Sequence, residues 1–462
     1  MDLFKKKSLD QLRDSVKKTN LQKNLRAKDI AALGIGAVVG VGIFVATGEG
    51  AHSAGPGIIL SFILSGIVAC LCGLCYCELA TMFPVAGSTY SYAYIAFGEF
   101  TAMIIGWCLT AEYLVAVSAV ASGWSGTFRG VLTSAGITLP KAIAASPSNG
   151  GIIDVPAVAI ILILTALLCY GMQQSSKINN IIVGIKILII LLFIFLGASH
   201  INVSNYKPFM PYGWKGVFTG ASMVFFSFIG FDAISTSAEE AVDPKKDVSR
   251  GIILCLIVVC ILYVLVAVVL TGIVPYKEIV SDNAVPDALG RIGINWGSAL
   301  VGVGAIVGMV SVMLTMLYGQ VRIFMVMSRD GLMPKIFSKI NKVHNTPVKA
   351  TIITGIIASI IAGILPLRII VEFLSIGTLL SFIIVSMGVI YLRKSMPDIE
   401  RKFKCPGVPF TPIITVLCCL LLLISMRKIT WIGFLIWLCL GLIVYFIYGR
   451  THSTVQNENN GQ

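Results

Sequence analysis

The sequence predicts an all-α integral membrane protein with twelve spanning helices, and three observations predict it. Hydrophobic residues make up 56% of the 462-residue chain, mean hydropathy is +0.90, and charged residues are 12%, about half the ~25% of a soluble domain. The apolar residues gather in stretches of a length that crosses ~30 Å of hydrocarbon at ~1.5 Å per helical residue. The basic residues behind the net charge of +13 lie in short tracts between those stretches. So few charges cannot cover a globule of this size, which excludes a soluble enzyme, a secreted disulfide scaffold and a disordered chain. Basic tracts between spans, rather than on one folded face, exclude a nucleic-acid partner.

In chain order, residues 1–29 hold nine Lys and Arg and no apolar run before Ile30. That is a basic cytoplasmic tail suited to anionic lipid, not a cleavable signal peptide. Five spans follow at 30–48, 57–82, 98–126, 155–171 and 180–198, making a first half of 30–198. An outer loop at 199–215 leads to five more at 216–238, 251–273, 297–320, 349–365 and 369–392, a second half of 216–392. A basic cytoplasmic loop at 393–408, two last spans within 409–449 and a polar tail at 450–462 complete the chain. An even count puts both ends on one side. With the ends inside, inner segments carry 25 of the 35 basic residues and outer segments nine, as the positive-inside bias requires. The expectation is a multi-pass plasma-membrane protein with both termini cytoplasmic. One inner segment, 83–97, has no Lys or Arg, and its Tyr90, Tyr92 and Tyr94 read as an interfacial anchor. The twelve cysteines fall mainly inside apolar stretches; Cys72 and Cys75 have CxxC spacing but no converging polar partners, so they read as packing residues.

A plain anchor has no reason to interrupt its helices, and the first span does. Gly34, Gly36, Gly40 and Gly42 crowd nine residues, with Gly40 near the bilayer midplane. Close helix packing accounts for Gly36 and Gly40 alone. Gly40-Val41-Gly42 goes further and permits unwinding, tolerated at that depth only where backbone lines a cavity or is buried in protein. The sixth span offers a counterpart in Phe225-Phe226-Ser227-Phe228-Ile229-Gly230-Phe231-Asp232. Spans one and six open two five-helix halves and enter from opposite sides, which is the pattern of an inverted repeat with a midplane site. Free N–H groups near Val41 and Gly42 suit a carboxylate. Free carbonyls near Val38 and between Phe226 and Ile229 suit an ammonium. A site offering both suits a zwitterion, of which a free amino acid is the commonest small one.

Glu112, Lys186 and Asp232 lie well inside spans, each costing ~2.5–3.5 kcal/mol even on lenient insertion scales unless paired or hydrated. Together they read as one buried set able to hold or move a proton. Glu372 reads as solvated near an outer helix end, and Glu78, Glu239 and Glu240 as meeting water or basic loops at inner ends. All four histidines fall in loops or tails, no phosphate-binding glycine–lysine motif is present, and no cofactor is implied.

The run Gly36 to Phe44, the stretch Pro84 to Tyr90, the sixth-span FFSFIGFD followed by Glu239-Glu240, and Arg322 through Pro334 occur in that order. In them the chain resembles the amino acid–polyamine–organocation (APC) superfamily, closest to bacterial homologues of its cationic amino acid transporter branch. The resemblance implies a LeuT-type fold, a 5+5 inverted repeat with discontinuous helices 1 and 6 plus two C-terminal helices. It implies that Val41 and Gly42, beside Gly40, take the substrate carboxylate. Carbonyls near Val38, Phe226 and Ile229 would take the amine, with the Phe226 ring as a gate. Lys186 would stand where sodium sits in other members, favouring proton coupling, with Glu112 and Asp232 at the side-chain end or in the coupling network. Met316 would narrow the pocket. The function read here is secondary active, proton-coupled symport of small neutral and also cationic amino acids. A gradient-independent exchanger is the alternative, and a non-transporting sensor or a channel the reading from another class. No protein partner is implied.

Overall fold

A computed structural model describes residues 5–7, 25–83, 87–171, 176–232, 234, 241–279, 283–341 and 346–457. Pro84 to Ala86, Glu239, Glu240 and most of the basic tail lie outside the described residues. Among those described the chain is helical throughout, with two isolated β-bridges and no strand. Seven helical segments are long and apolar enough to cross a membrane, and Val155–Cys169, Val348–Ile364 and Phe410–Ile424 are shorter apolar helices. Exposed side chains such as Ile181, Leu188, Phe195, Ile261, Leu417 and Ile424 belong to helix faces that only lipid would cover.

The first span is not one helix. Ala27–Val38 is α-helical; Val39 turns to an extended conformation (φ −76°, ψ 99°). A π-turn at Gly42–Ala46 then leads into Thr47–Ala54. The sixth span breaks likewise: Gly213–Val224 is α-helical, Phe225–Phe228 tightens to a 3₁₀ turn, and Ile229 is extended (φ −66°, ψ 140°). Around them stand the Glu99–Ser134 helix, of 36 residues, and the Asn295–Arg329 helix, of 35. Both outrun the spans expected at 98–126 and 297–320. At ~1.5 Å per residue either exceeds ~50 Å, so it must tilt or project from the hydrocarbon.

The inner segment without basic residues is not a loop. Ser88–Phe97 is a helix with both faces buried, so it has no water-facing side for a lysine. Tyr90, Tyr92 and Tyr94 are interior residues and not an interfacial anchor. The Tyr90 hydroxyl donates to Asp330 (2.8 Å) and the Tyr94 hydroxyl to Glu99 (3.1 Å). Glu372 is buried rather than solvated; it pairs with Arg427 (2.7 Å) and Arg368 (3.6 Å) and accepts from Thr430 (2.6 Å). Glu78 does meet the basic loop, held by two bonds from Arg393 (2.9 and 2.7 Å), by Arg401 (3.4 Å) and by the Cys405 N–H (2.7 Å). The last polar stretch is docked as far as residue 457: Ser453 donates to Glu99, and the Thr454 N–H to the Asp330 carbonyl (3.1 Å). From the other terminus, Lys7 pairs with Asp330 (2.7 Å) and Lys6 donates to the Tyr391 hydroxyl (2.6 Å).

Candidate functional site

The two breaks meet. At Gly42 a β-carbon would stand 2.6 Å from the Ser227 Cα and 2.5 Å from its Cβ and Oγ, so only glycine lets the backbones approach this closely. Gly230 takes φ +115°, a conformation that side chains with a Cβ rarely adopt. Between the breaks lies a small cavity of about 20 Å³, lined by Val38, Gly40, Val41, Gly42, Phe226, Ser227, Ile229 and Met316, with Ala37, Ala116, Val120, Val312 and Leu374 on its apolar wall. That is room for about one water. Of the eight residues expected to touch substrate, seven line this space.

The eighth, Asp232, does not. Its carboxylate folds back to accept the Gly230 N–H (3.1 Å) and the Tyr113 hydroxyl (3.1 Å). Through these two bonds Asp232 ties the turn at Gly230 to Tyr113 and braces the broken segment of helix six.

The rim offers the groups that helix ends supply. Gly40's carbonyl accepts from Ile43 (3.3 Å) and Phe44 (3.4 Å). The Val41 and Gly42 N–H groups are therefore in the first turn of the outer half, where a helix has no internal acceptors. On the facing side, the Phe226 carbonyl takes the Ile229 N–H (3.0 Å). Tyr263 was not anticipated. Its hydroxyl lies 3.0 Å from both the Val38 and Ser227 carbonyls, bridging the ends of the two broken helices. The available signal was a lone tyrosine in the otherwise aliphatic stretch 251–273.

The buried charges do not form one set. Lys186 is fully buried and donates to the Gly36 carbonyl (2.7 Å), one turn below the break; among the described residues no carboxylate lies within ion-pair distance of it. A carbonyl at the frayed end of a helix is a natural partner for a cation. Glu112 lies instead near Asp232, and neither of its oxygens has a hydrogen-bond partner among the described residues. The neighbouring Thr378 hydroxyl donates to the Leu374 carbonyl (3.2 Å). Gln320 was missed as well. It sits one turn below Met316 on the same helix face, fully buried, and both ends of its amide lack partners among the described residues. The 312–316–320 stripe was readable once Met316 had been singled out.

Residues 25–460 match the model of the amino acid permease family. The chain belongs to that family. It is 44% identical to the branched-chain amino acid permease BcaP of Bacillus subtilis over 98% of both chains. It is 43% identical to the methylthioribose transporter of the same organism, again over 98% of both. A third relative, the vacuolar cationic amino acid transporter 4 of Arabidopsis thaliana, is 30% identical across 95% of this chain and 93% of its own. The permease is thus a multi-pass membrane transporter and not an enzyme, as its composition implied. Of the motifs that carried the resemblance, Gly36 to Phe44 and Phe225 to Asp232 are the two breaks described above, while Arg322 to Pro334 holds Asp330, where both termini dock.

Proposed function

We propose that this permease is a secondary active transporter that moves neutral aliphatic amino acids across the plasma membrane by alternating access, coupled to proton entry. One observation carries the reading: two broken helices meet around a small cavity whose polar groups are backbone and the Ser227 hydroxyl, and whose apolar wall includes Ala116, Val120, Val312, Met316 and Leu374. A backbone rim serves the α-carboxylate and α-amine that all amino acids share, and an apolar wall selects aliphatic side chains. In this reading Val41 and Gly42, beside Gly40, take the carboxylate, Val38, Phe226 and Ile229 surround the amine, and Met316 limits side-chain length. Lys186 and Glu112 hold charges that change with the cycle, and Asp232 braces the turn between them.

The same proposal includes the topology: twelve spans in a LeuT-type 5+5 inverted repeat, halves at 30–198 and 216–392, both termini cytoplasmic. Matched breaks at Val39 and Ile229 support it. The relative named as a branched-chain permease supports neutral substrates, and the cationic branch keeps arginine in the test panel. The test is uptake of labelled leucine, alanine and arginine into proteoliposomes with and without an inward proton gradient. Gradient-stimulated uptake of leucine and alanine is expected. Uptake only into amino-acid-preloaded vesicles, indifferent to the gradient, would replace symport by exchange; no uptake of any of the three would overturn the transport assignment to amino acids.

A further inference from the structure

One stretch that carried the resemblance, Pro84 to Tyr90, takes no part in the midplane cavity. Its described end opens the buried helix Ser88–Phe97, and does so under strain. Ser88 has φ +47°, the one positive φ of a non-glycine among the described residues, and such a conformation persists only where the surroundings fix it. The next two side chains are held from opposite sides. The Thr89 and Tyr76 hydroxyls share a buried hydrogen bond of 2.6 Å in which either can donate, and Tyr90 donates to Asp330 (2.8 Å). Asp330 also pairs with Lys7, and both of those side chains are partly open to water. Thr89 thus adjoins the inner surface, and Tyr76 lies one hydrogen bond deeper.

Tyr76, on the Ile58–Met82 helix, leads from there to the buried acids. Its ring packs edge-on against Phe231 (5.5 Å), the neighbour of Asp232, and against Phe382 (5.4 Å). Asp232 and Glu112 both act electrostatically on its hydroxyl. Asp232 is engaged by Gly230 and Tyr113, whereas neither Glu112 oxygen has a hydrogen-bond partner among the described residues. The elements around Glu112 bring it no Lys or Arg. Helix six brings Asp232, and the Leu367–Ser395 helix brings Thr378. The Asn295–Arg329 helix sets the neutral Gln320 at about the same depth, since a β-carbon at Gly319 would lie 3.2 Å from the Tyr113 ring. An intramembrane acid in such company is suited to carry a proton as a neutral carboxyl.

We propose that Tyr76 and Thr89 form the relay by which the proton carried on Glu112 is released to the inside. When the inner halves of helices one and six part, water joins the Glu112 carboxyl to the Tyr76 oxygen. The Glu112 O–H bond breaks and its proton passes through that water to Tyr76. Tyr76 gives its own proton to Thr89, and Thr89 gives its own to water at the inner surface. Both hydroxyls end as they began, and Glu112 ends as a carboxylate. In the arrangement described here Glu112 makes no bond to the relay, so the proton cannot leave early. The relay rests on the proton-coupling reading, for which it supplies the release step.

The experiment compares two modes in proteoliposomes of the full-length permease. One is leucine uptake driven by an inward proton gradient, with lumenal acidification read by a trapped pH dye. The other is leucine exchange at equal pH, which returns the loaded carrier without releasing its proton and so bypasses the relay. Tyr76→Phe keeps both ring contacts, and Thr89→Val keeps the side-chain shape. Each should lower driven uptake and acidification at least tenfold while exchange stays within twofold. Thr89→Ser, which restores the hydroxyl, should recover at least half of the wild-type driven rate. Driven uptake within twofold of wild type in both hydroxyl-free variants overturns the relay. So does an equal fall of exchange in Thr89→Val, or a Thr89→Ser no better than Thr89→Val. The Thr89 series decides the matter even where Tyr76→Phe does not fold. If wild type exchanges leucine with no acidification and no response to the gradient, the coupling reading fails and takes the relay with it.

Discussion

The close approach of Gly42 to Ser227 lends itself to a sharp test, Gly42→Ala. The new methyl would lie 2.5 Å from the Ser227 Cβ and Oγ and 2.6 Å from its Cα. The hydroxyl can rotate away, but the Cα cannot, so one of the two broken segments must shift. Inserting a methylene-sized group into a packed site costs ~1–3 kcal/mol. At ~2 kcal/mol, with a factor of ten for every ~1.4 kcal/mol, the closed arrangement loses ~30-fold in population relative to open ones. A cycle that must pass through the closed arrangement slows accordingly, so initial leucine uptake into proteoliposomes should fall at least tenfold. Gly184→Ala is the matched control, since a β-carbon there meets nothing within 4 Å. It should keep uptake within twofold. The reasoning is refuted if Gly42→Ala transports at the wild-type rate, or if Gly184→Ala is equally impaired.

Three further substitutions probe the surroundings. Tyr263→Phe removes the hydroxyl shared by the Val38 and Ser227 carbonyls; leaving a buried acceptor unmet costs ~1–3 kcal/mol, so uptake should drop about tenfold or more while size-exclusion profiles stay monodisperse. Lys186→Met keeps the side-chain bulk but strips the Gly36 carbonyl of its cation; the proposed coupling predicts that residual leucine uptake no longer responds to a proton gradient, and an undiminished response would count against it. Glu78→Ala leaves Arg393 and Arg401 without their buried carboxylate; breaking such a cluster costs ~3–5 kcal/mol, which thermal unfolding in detergent should register as a marked fall in Tm.

Much of the architecture was legible because lipid imposes a strict accounting on backbone groups. Within such a rule Gly40-Val41-Gly42 and Gly230 stand out: small residues at mid-span are conspicuous where most positions are large and apolar. The residues flanking them can therefore be placed near one another from the sequence, and the cavity gathers all of them except Asp232. What stayed hidden depends on partners distant in sequence. Glu372 reads as an outer-end acid until Arg427 is seen across from it, and Tyr90 as an anchor until Asp330, 240 residues on, accepts its hydrogen bond. Local pattern is also blind to a helix buried on every side. Ser88–Phe97 has no polar face to mark its period, so its lack of basic residues read as an oddity of a loop. Lys186 shows the same limit: its burial was readable, but its partner is a backbone carbonyl, which no residue type announces.

A cavity with room for about one water cannot hold an amino acid, so substrate entry requires the walls to separate. The contacts around the site indicate which walls these are. The long helices Glu99–Ser134 and Asn295–Arg329 are packed along their lengths, with Gly319 against the Tyr113 ring and Gly302 against Val131. Interfaces of that kind move as units, because interdigitated side chains resist small displacements. Between the two breaks themselves the polar contacts are few. Val38 and Ser227 share a single hydroxyl, Gly230 hangs on the Asp232 carboxylate, and Val41 occupies one notch at Gly123. A net hydrogen bond is worth ~0.5–1.5 kcal/mol, so these few contacts can be exchanged for equivalent ones to a substrate carboxylate and amine at little net cost. Binding energy from the shared α-amino and α-carboxyl groups thus goes into moving helices one and six, and the side chain is left to be judged by Met316 and its apolar neighbours. Enlarging the cavity with Met316→Ala should then raise affinity for longer side chains relative to alanine, while a mutation in the long-helix interface should lower uptake of all substrates alike.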